Sequence, residues 1–294
     1  TYQPGERKHG TAMASLILHG DRSNPESKPL PHKLYCIPVM QPDHQTREHD
    51  EHMPDDVFFE DRIHIAVRRM FEGSGDVPAQ APTVKVINLS IGDTAREFIH
   101  TPSPWARVID WLAYHYRVLF CISAGNYCDT INIGLTQQQF AALSDGEKIS
   151  ATVKAISNSL TSRRLLSPAE AMNAITVGAA HADDSGNAYP QFGQRVDVLP
   201  SQTLFSPATR LGFGFNRSIK PDILMPGGRQ LYNAPMQDSS TLYSVDNSII
   251  APGQKVALDS KKQGVLNSEA FWRGTSNATA LATRGAVRLY DMLD

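Results

Sequence analysis

The sequence predicts an α/β domain, three-layered, with a mainly parallel central sheet flanked by helices, and three observations lead there. Short β-branched runs alternate with longer stretches of helical spacing, the pattern of a parallel sheet covered by helices. The runs are too continuously apolar to alternate between core and solvent, as expected of strands buried on both faces. Finally, 294 residues at 41% hydrophobic composition suffice to bury one full core, so a single domain over residues 1–294 accounts for the chain.

The candidate strands are residues 34–39 (LYCIPV), 84–89 (VKVINL), 118–122 (VLFCI) and 174–179 (AITVGA). The candidate helices are 9–18, 56–72, 104–116, a pair within 137–164, and 276–293. Residues 41–56 are charged and poorly periodic, which predicts a solvent-facing loop. Two stretches stand out as insertions, about 127–166 and 230–271. In the second the composition shifts to Ser, Asn, Asp and short β-branched pairs such as Ile249-Ile250, which predicts β-hairpins or irregular structure.

Charge excludes some partners. With 28 Lys+Arg against 30 Asp+Glu, the net charge of -2 gives no footprint for nucleic acid or an anionic membrane surface. No apolar run approaches the roughly 20 residues that span a bilayer. The opening Thr1-Tyr2-Gln3-Pro4-Gly5 is not a signal peptide and reads as the interior of a domain. Cys36, Cys121 and Cys128 form no disulfide framework, and two of them fall in strand-like runs. Their scarcity favours a reducing, cytoplasmic compartment over a disulfide-stabilised secreted one.

Three short segments carry the chemistry. His9-Gly10-Thr11 opens a helix whose apolar positions are Met13, Leu16 and Ile17, so the imidazole projects from a fixed element, as a general base must. Gly274-Thr275-Ser276 places a serine after a glycine turn at the start of a long helix, where unpaired N–H groups and the dipole favour developing negative charge. Ser123-Ala124-Gly125-Asn126 ends a strand with small residues and an amide that could donate to an oxyanion. Ser90-Ile91-Gly92 follows another strand in the same way. Taken singly, each has an ordinary reading: a surface His beside a flexible Gly, a serine helix cap, an Asn in a turn.

Together and in this order they resemble the subtilisin-like (subtilase) serine peptidases. The resemblance rests on His9-Gly-Thr, on Val86-Ile87-Asn88-Leu89-Ser90-Ile91-Gly92 and on Ser123-Ala-Gly-Asn126. It continues through Ala174-Ile-Thr-Val-Gly178, Lys220-Pro221-Asp222-Ile223 with Pro226-Gly227, and Gly274-Thr-Ser276-x-Ala278. It implies a subtilisin-like fold and a serine endopeptidase: His9 as base, Ser276 as nucleophile, Asn126 as oxyanion donor. It also implies that Ser90, Ile91, Gly92, Ser123, Ala124 and Gly125 border an extended polypeptide substrate, with no cofactor required.

The family's triad order is Asp, His, Ser, yet only eight residues precede His9 and none is Asp. The expectation is that the Asp lies in a segment of the same protein upstream of Thr1. Asp21, Asp61 and Asp93 all follow His9 and would require a rearranged topology. The alternative is a catalytically dead module that keeps the cleft and binds peptides. Ala280 stands where the family usually has Pro.

Two groups of residues invite a metal reading. His44, His49 and His52 with Asp43, Asp50, Glu51, Asp55 and Asp56 lack a metal-ligand spacing and read as a solvated charge run. A structural Ca²⁺ on Asp21, Asn24 and Glu26, a kind of site common in the family, rests on oxygen ligands at irregular spacing.

Overall fold

A computed structural model describes residues 6–45, 51–54, 56–186, 195–200, 204–259 and 267–293. Four strands, β1 (Val86–Leu89), β2 (Leu119–Ser123), β3 (Ala174–Ala180) and β4 (Ile223–Pro226), pair in the spatial order β4-β3-β2-β1. All three pairings are parallel, with Asn88 opposite Cys121, Ile122 opposite Thr176 and Val177 opposite Ile223. Three of the four are the strands the sequence predicts; β4, which ends on a proline, is not among those predicted.

The helices are α1 (Lys8–His19), α2 (Phe59–Phe71), α3 (Pro104–Tyr116), α4 (Gln137–Ala141), α5 (Asp145–Asn158) and α6 (Thr275–Leu293). On one face of the sheet α2 and α3 bury Ile63, Val67, Trp105, Ile109 and Leu112 with Phe120 and Ile122 of β2. Each of these large side chains contributes roughly 1.5–3 kcal/mol by leaving water. On the other face α6 sets Ala278 and Ala282 against Val177 and Ala179 of β3. These small side chains let α6 lie close to the strands. Outside α6, α1 packs Ala12, Met13, Leu16 and Ile17 against Ala280 and Val256.

Local chemistry fixes the element ends. Ser103 caps α3 by accepting the Ala106 N–H at 3.0 Å, with Pro104 at the first helical position. The buried Lys220 donates to the carbonyls of Ala171 and Ala174, to Thr176 Oγ1 and to Asp222 Oδ2. Asp222 Oδ2 also accepts the Thr176 N–H at 2.7 Å, so the Lys-Pro-Asp block ties β4 to the start of β3.

Helix α1 ends at Gly20, whose φ of 73° suits glycine, and its last carbonyls are satisfied by a neighbour. Arg284 of α6 donates to the Ile17 and Leu18 oxygens at 3.0 and 2.6 Å. Removing it leaves the buried Ile17 acceptor unpaired, at about 1–3 kcal/mol, while the Leu18 oxygen keeps the Leu30 N–H at 2.8 Å. Arg284→Met should therefore lower the denaturation midpoint by the equivalent of about 2 kcal/mol in chemical unfolding, and an unchanged midpoint would contradict the capping role.

Two expectations need correction. Residues 34–39 form no strand, and Cys36 within them is exposed. Leu34 and Val39 pack against the core, but the backbone has no partner strand there among the described residues. A strand exists only through its neighbour's hydrogen bonds, and apolar composition cannot supply one. Strand β1 likewise ends the sheet, with no ladder on its outer side among the described residues. The predicted loop at 41–56 holds a two-residue ladder, Gln41–Pro42 against Glu51–His52.

The stretch 127–166 carries α4 and α5. Within 230–271, Leu242–Val245 pairs antiparallel with Tyr232–Asn233, and Gln254–Ala257 with Glu269–Trp272. No helix among the described residues is long and apolar enough to cross a membrane.

Candidate active site

Strands β1 and β2 end side by side, and the N-terminus of α6 faces those ends. Ser276, the second residue of α6, donates its hydroxyl to the Ser90 carbonyl oxygen at 3.2 Å. Ser90 Oγ returns a bond to the Ser276 carbonyl at 3.3 Å and another to Asn88 Oδ1 at 3.0 Å. Asn88 Nδ2 in turn donates to Thr283 Oγ1 at 2.9 Å. The Ser90-Ile91-Gly92 segment is thereby fixed beside the serine.

Asn126, three residues beyond the end of β2, reaches the same turn. Its Oδ1 accepts both the Thr275 N–H at 2.8 Å and the Thr275 hydroxyl at 2.9 Å. A backbone N–H can only donate, so the amide's orientation is set and Nδ2 is its donor end. Gly274 makes the approach feasible: its φ is 132°, and a Cβ there would lie 2.9 Å from Asn126 Nδ2. The N–H of Ser276 belongs to the first turn of α6, where no helical acceptor exists. Two donors of different origin thus sit at one helix start.

Ser123 and Ala124 are buried, and Ala124 N–H donates to the Val177 carbonyl at 3.0 Å. Gly125, at φ 98°, presents a bare face.

His9 lies in the first turn of α1, its ring stacked on Trp272 at 6.1 Å between centroids and 26° between planes. Trp272 closes the strand leading directly into Gly274 and Ser276, so the imidazole is seated on the chain that carries the serine. Loss of water pushes the imidazole pKa below its ordinary 6.5, while the charge of Glu51 acts in the opposite direction. The ring therefore stays neutral, and able to accept a proton, further into acid than usual. Because folding suppresses its protonation, this histidine stabilises the fold least below pH 6.5 and most above it. Glu51→Gln should lower the His9 titration midpoint further in a pH series of imidazole NMR shifts; a midpoint that rises would contradict the sign.

Trp272 was not named in the sequence, and Glu51 was read there only as part of a solvated charge run. Glu51 lay hidden in the charged stretch, and Trp272 only in its register just upstream of the serine. Of the carboxylates weighed after His9, Asp21 is buried and accepts N–H groups of Ser23, Asp184 and Lys255 at 2.9–3.1 Å. Asp93 accepts the Ala95 N–H, and Asp61 lies in α2.

The same bonds bear on calcium. Around the candidate calcium ligands, Asp21 accepts backbone N–H groups and Asn24 Oδ1 accepts the Glu26 N–H at 2.9 Å. Among the described residues no group of His, Cys, Asp and Glu could hold a metal. His49, Asp50 and Asp55 lie outside the described residues. Cys36, Cys121 and Cys128 are free thiols, and burial pushes Cys121 up to about 11.

The order and spacing of these segments match a known family. A model described as the subtilase family, peptidase class S8, covers residues 2–293. The chain belongs to the subtilase family.

Among curated proteins, this subtilase is similar to uncharacterized protein y4bN of Sinorhizobium fredii (strain NBRC 101917 / NGR234). The two are 29% identical over 154 residues, 51% of this chain and 32% of that protein. The match thus spans about a third of the relative's length.

Three solved structures are similar. The protease domain of PatA is 14% identical with a TM-score of 0.43, over 96% of this chain and 64% of that one. The prenylagaramide maturation protease PagA is 14% identical with a TM-score of 0.42, over 97% and 65%. The A-subunit of the AB5 toxin from E. coli is 19% identical with a TM-score of 0.41, over 94% and 62%.

Proposed function

We propose that this subtilase is a serine endopeptidase that hydrolyses polypeptides through an acyl-enzyme. The observation that carries the reading is the fixed Asn126 amide. Both Thr275 donors hold its oxygen, which leaves the Nδ2 end free for an oxyanion beside Ser276. An extended substrate would lie along Ser90-Ile91-Gly92, with Ser123-Ala124-Gly125 forming the opposite wall of the pocket for the residue before the scissile bond.

Ser276 Oγ attacks the carbonyl carbon, and His9 takes its proton. The tetrahedral oxygen receives hydrogen bonds from Asn126 Nδ2 and the Ser276 N–H. His9 then protonates the leaving amine, and water repeats the sequence on the acyl-enzyme. No step calls for a cofactor or metal.

The third triad member, which orients His9, is assigned to an Asp on a strand encoded upstream of Thr1. Two observations support this: among the described residues the outer side of β1 forms no ladder, and the apolar segment 34–39 lies without a strand partner.

A second reading, a peptide-binding module without chemistry, draws on one observation: Ser276 Oγ donates to the Ser90 carbonyl rather than to His9. Catalytic hydrogen bonds often tighten only when substrate arrives. Hydrolysis of a denatured protein substrate by the full-length protein, with Ser276→Ala as control, separates the two readings. Cleavage lost in the variant is the expected result; cleavage equal in both would sink the endopeptidase.

A further inference from the structure

The Leu166 side chain stands against both glycines that border the proposed substrate pocket, Gly92 and Gly125. It lies in a two-residue strand, Leu166–Ser167, and is buried. A Cβ added to Gly92 would lie 3.1 Å from Leu166 Cβ. A Cβ added to Gly125, on the opposite wall, would lie 2.7 Å from Leu166 Cγ and 2.9 Å from Cδ1. The isobutyl group therefore touches both bare glycine faces. The room that glycine creates at 92 and 125 is taken up by Leu166 itself.

The plug cannot withdraw easily. Leu166 N–H donates to the Ala124 carbonyl at 3.2 Å, and its strand pairs antiparallel with Asp93–Glu97, Glu97 opposite Leu166. Arg210 flanks the same face of Gly125, its Cδ 3.1 Å from where that Cβ would stand. Its guanidinium is held by Glu97 at 2.6 Å, by the Arg164 carbonyl at 2.8 Å and by the Asn126 carbonyl at 3.0 Å. Displacing Leu166 would push it into this clamp, and close-packed interiors resist added volume.

We propose that Leu166 plugs the pocket for the residue immediately before the scissile bond, restricting that residue to Gly, Ala or Ser. The proposal rests on the endopeptidase reading and on the two walls assigned there, and adds the substrate class. One methylene of mismatch in an apolar pocket changes kcat/KM by about 10–200-fold. Discrimination between an Ala and a Phe at this position should be at the upper end of that range or beyond.

The test uses the full-length protein and peptides identical except for Ala, Leu or Phe before the cleaved bond. In parallel, binding to Ser276→Ala protein is measured for product peptides ending in the same residues. Expected is Ala above Leu above Phe in both kcat/KM and binding, with about 100-fold between Ala and Phe. Leu166→Gly, and the milder Leu166→Ala, should raise Phe cleavage at least about 10-fold and narrow the ratio. The wild-type order alone decides if neither variant folds. Cleavage of Phe peptides as fast as Ala peptides overturns the plug and leaves the peptidase intact. Binding in the Ala-first order without any cleavage upholds the plug and removes the peptidase. Absence of both overturns the two together.

Discussion

His9→Ala in the full-length protein should lower kcat by about 10⁶ with KM nearly unchanged, a magnitude measured in subtilisin itself. The size follows from the geometry. Ser276 Oγ, at the start of α6, bonds only a carbonyl oxygen, which cannot take its proton. The His9 imidazole, which stays neutral further into acid than an ordinary histidine, is stacked on Trp272, four residues before the serine. A Ser276→Ala variant should lose as much, and the double variant no more than either single, because the two act as one unit. Progress curves with a fluorogenic peptide would check this; additive losses would mean that His9 and Ser276 do not share a step.

Asn126→Ala should lower kcat by roughly 10²–10³ with KM changed much less, again a magnitude taken from the subtilisin family. The alanine would do two things at once, because Asn126 Oδ1 is also the acceptor for the Thr275 N–H and hydroxyl. Orphaning those donors costs about 1–3 kcal/mol of stability. Asn126→Asp separates the effects. The carboxylate keeps both Thr275 bonds but removes the Nδ2 donor, so stability should hold while kcat still falls. Recovery of kcat in the Asp variant, or equal losses in kcat and KM, would count against the oxyanion role.

Much of this was legible in the sequence because the elements that position the site obey local rules. Trp105, Ile109 and Leu112 repeat at helical spacing, and α3 spans the residues that spacing predicts, behind a Ser-Pro start. The β2 and β3 runs are apolar throughout because both faces are covered, by α3 on one side and α6 on the other. His9, Asn126 and Ser276 stood out because each lies within two residues of a glycine at an element end, where a short motif is readable.

What stayed hidden depends on contacts between distant segments. The run at 34–39 has strand composition but no partner, and pairing is not a property of composition. Asp21, a candidate cation ligand in the sequence, accepts the N–H groups of Asp184 and Lys255, both far away in sequence. The contact of Leu166 with both Gly92 and Gly125 likewise joins segments distant in sequence, which its dipeptide Leu165-Leu166 does not reveal.

The measurement closest to the central claim is covalent labelling of the full-length protein with a fluorophosphonate, the adduct located by peptide mass spectrometry. The phosphonyl group reports a serine activated by a base and held beside an oxyanion site, whatever the substrate preference. The account predicts a single adduct on Ser276, absent in His9→Ala. No adduct on Ser276 in the full-length protein, or one that persists undiminished in His9→Ala, would contradict it.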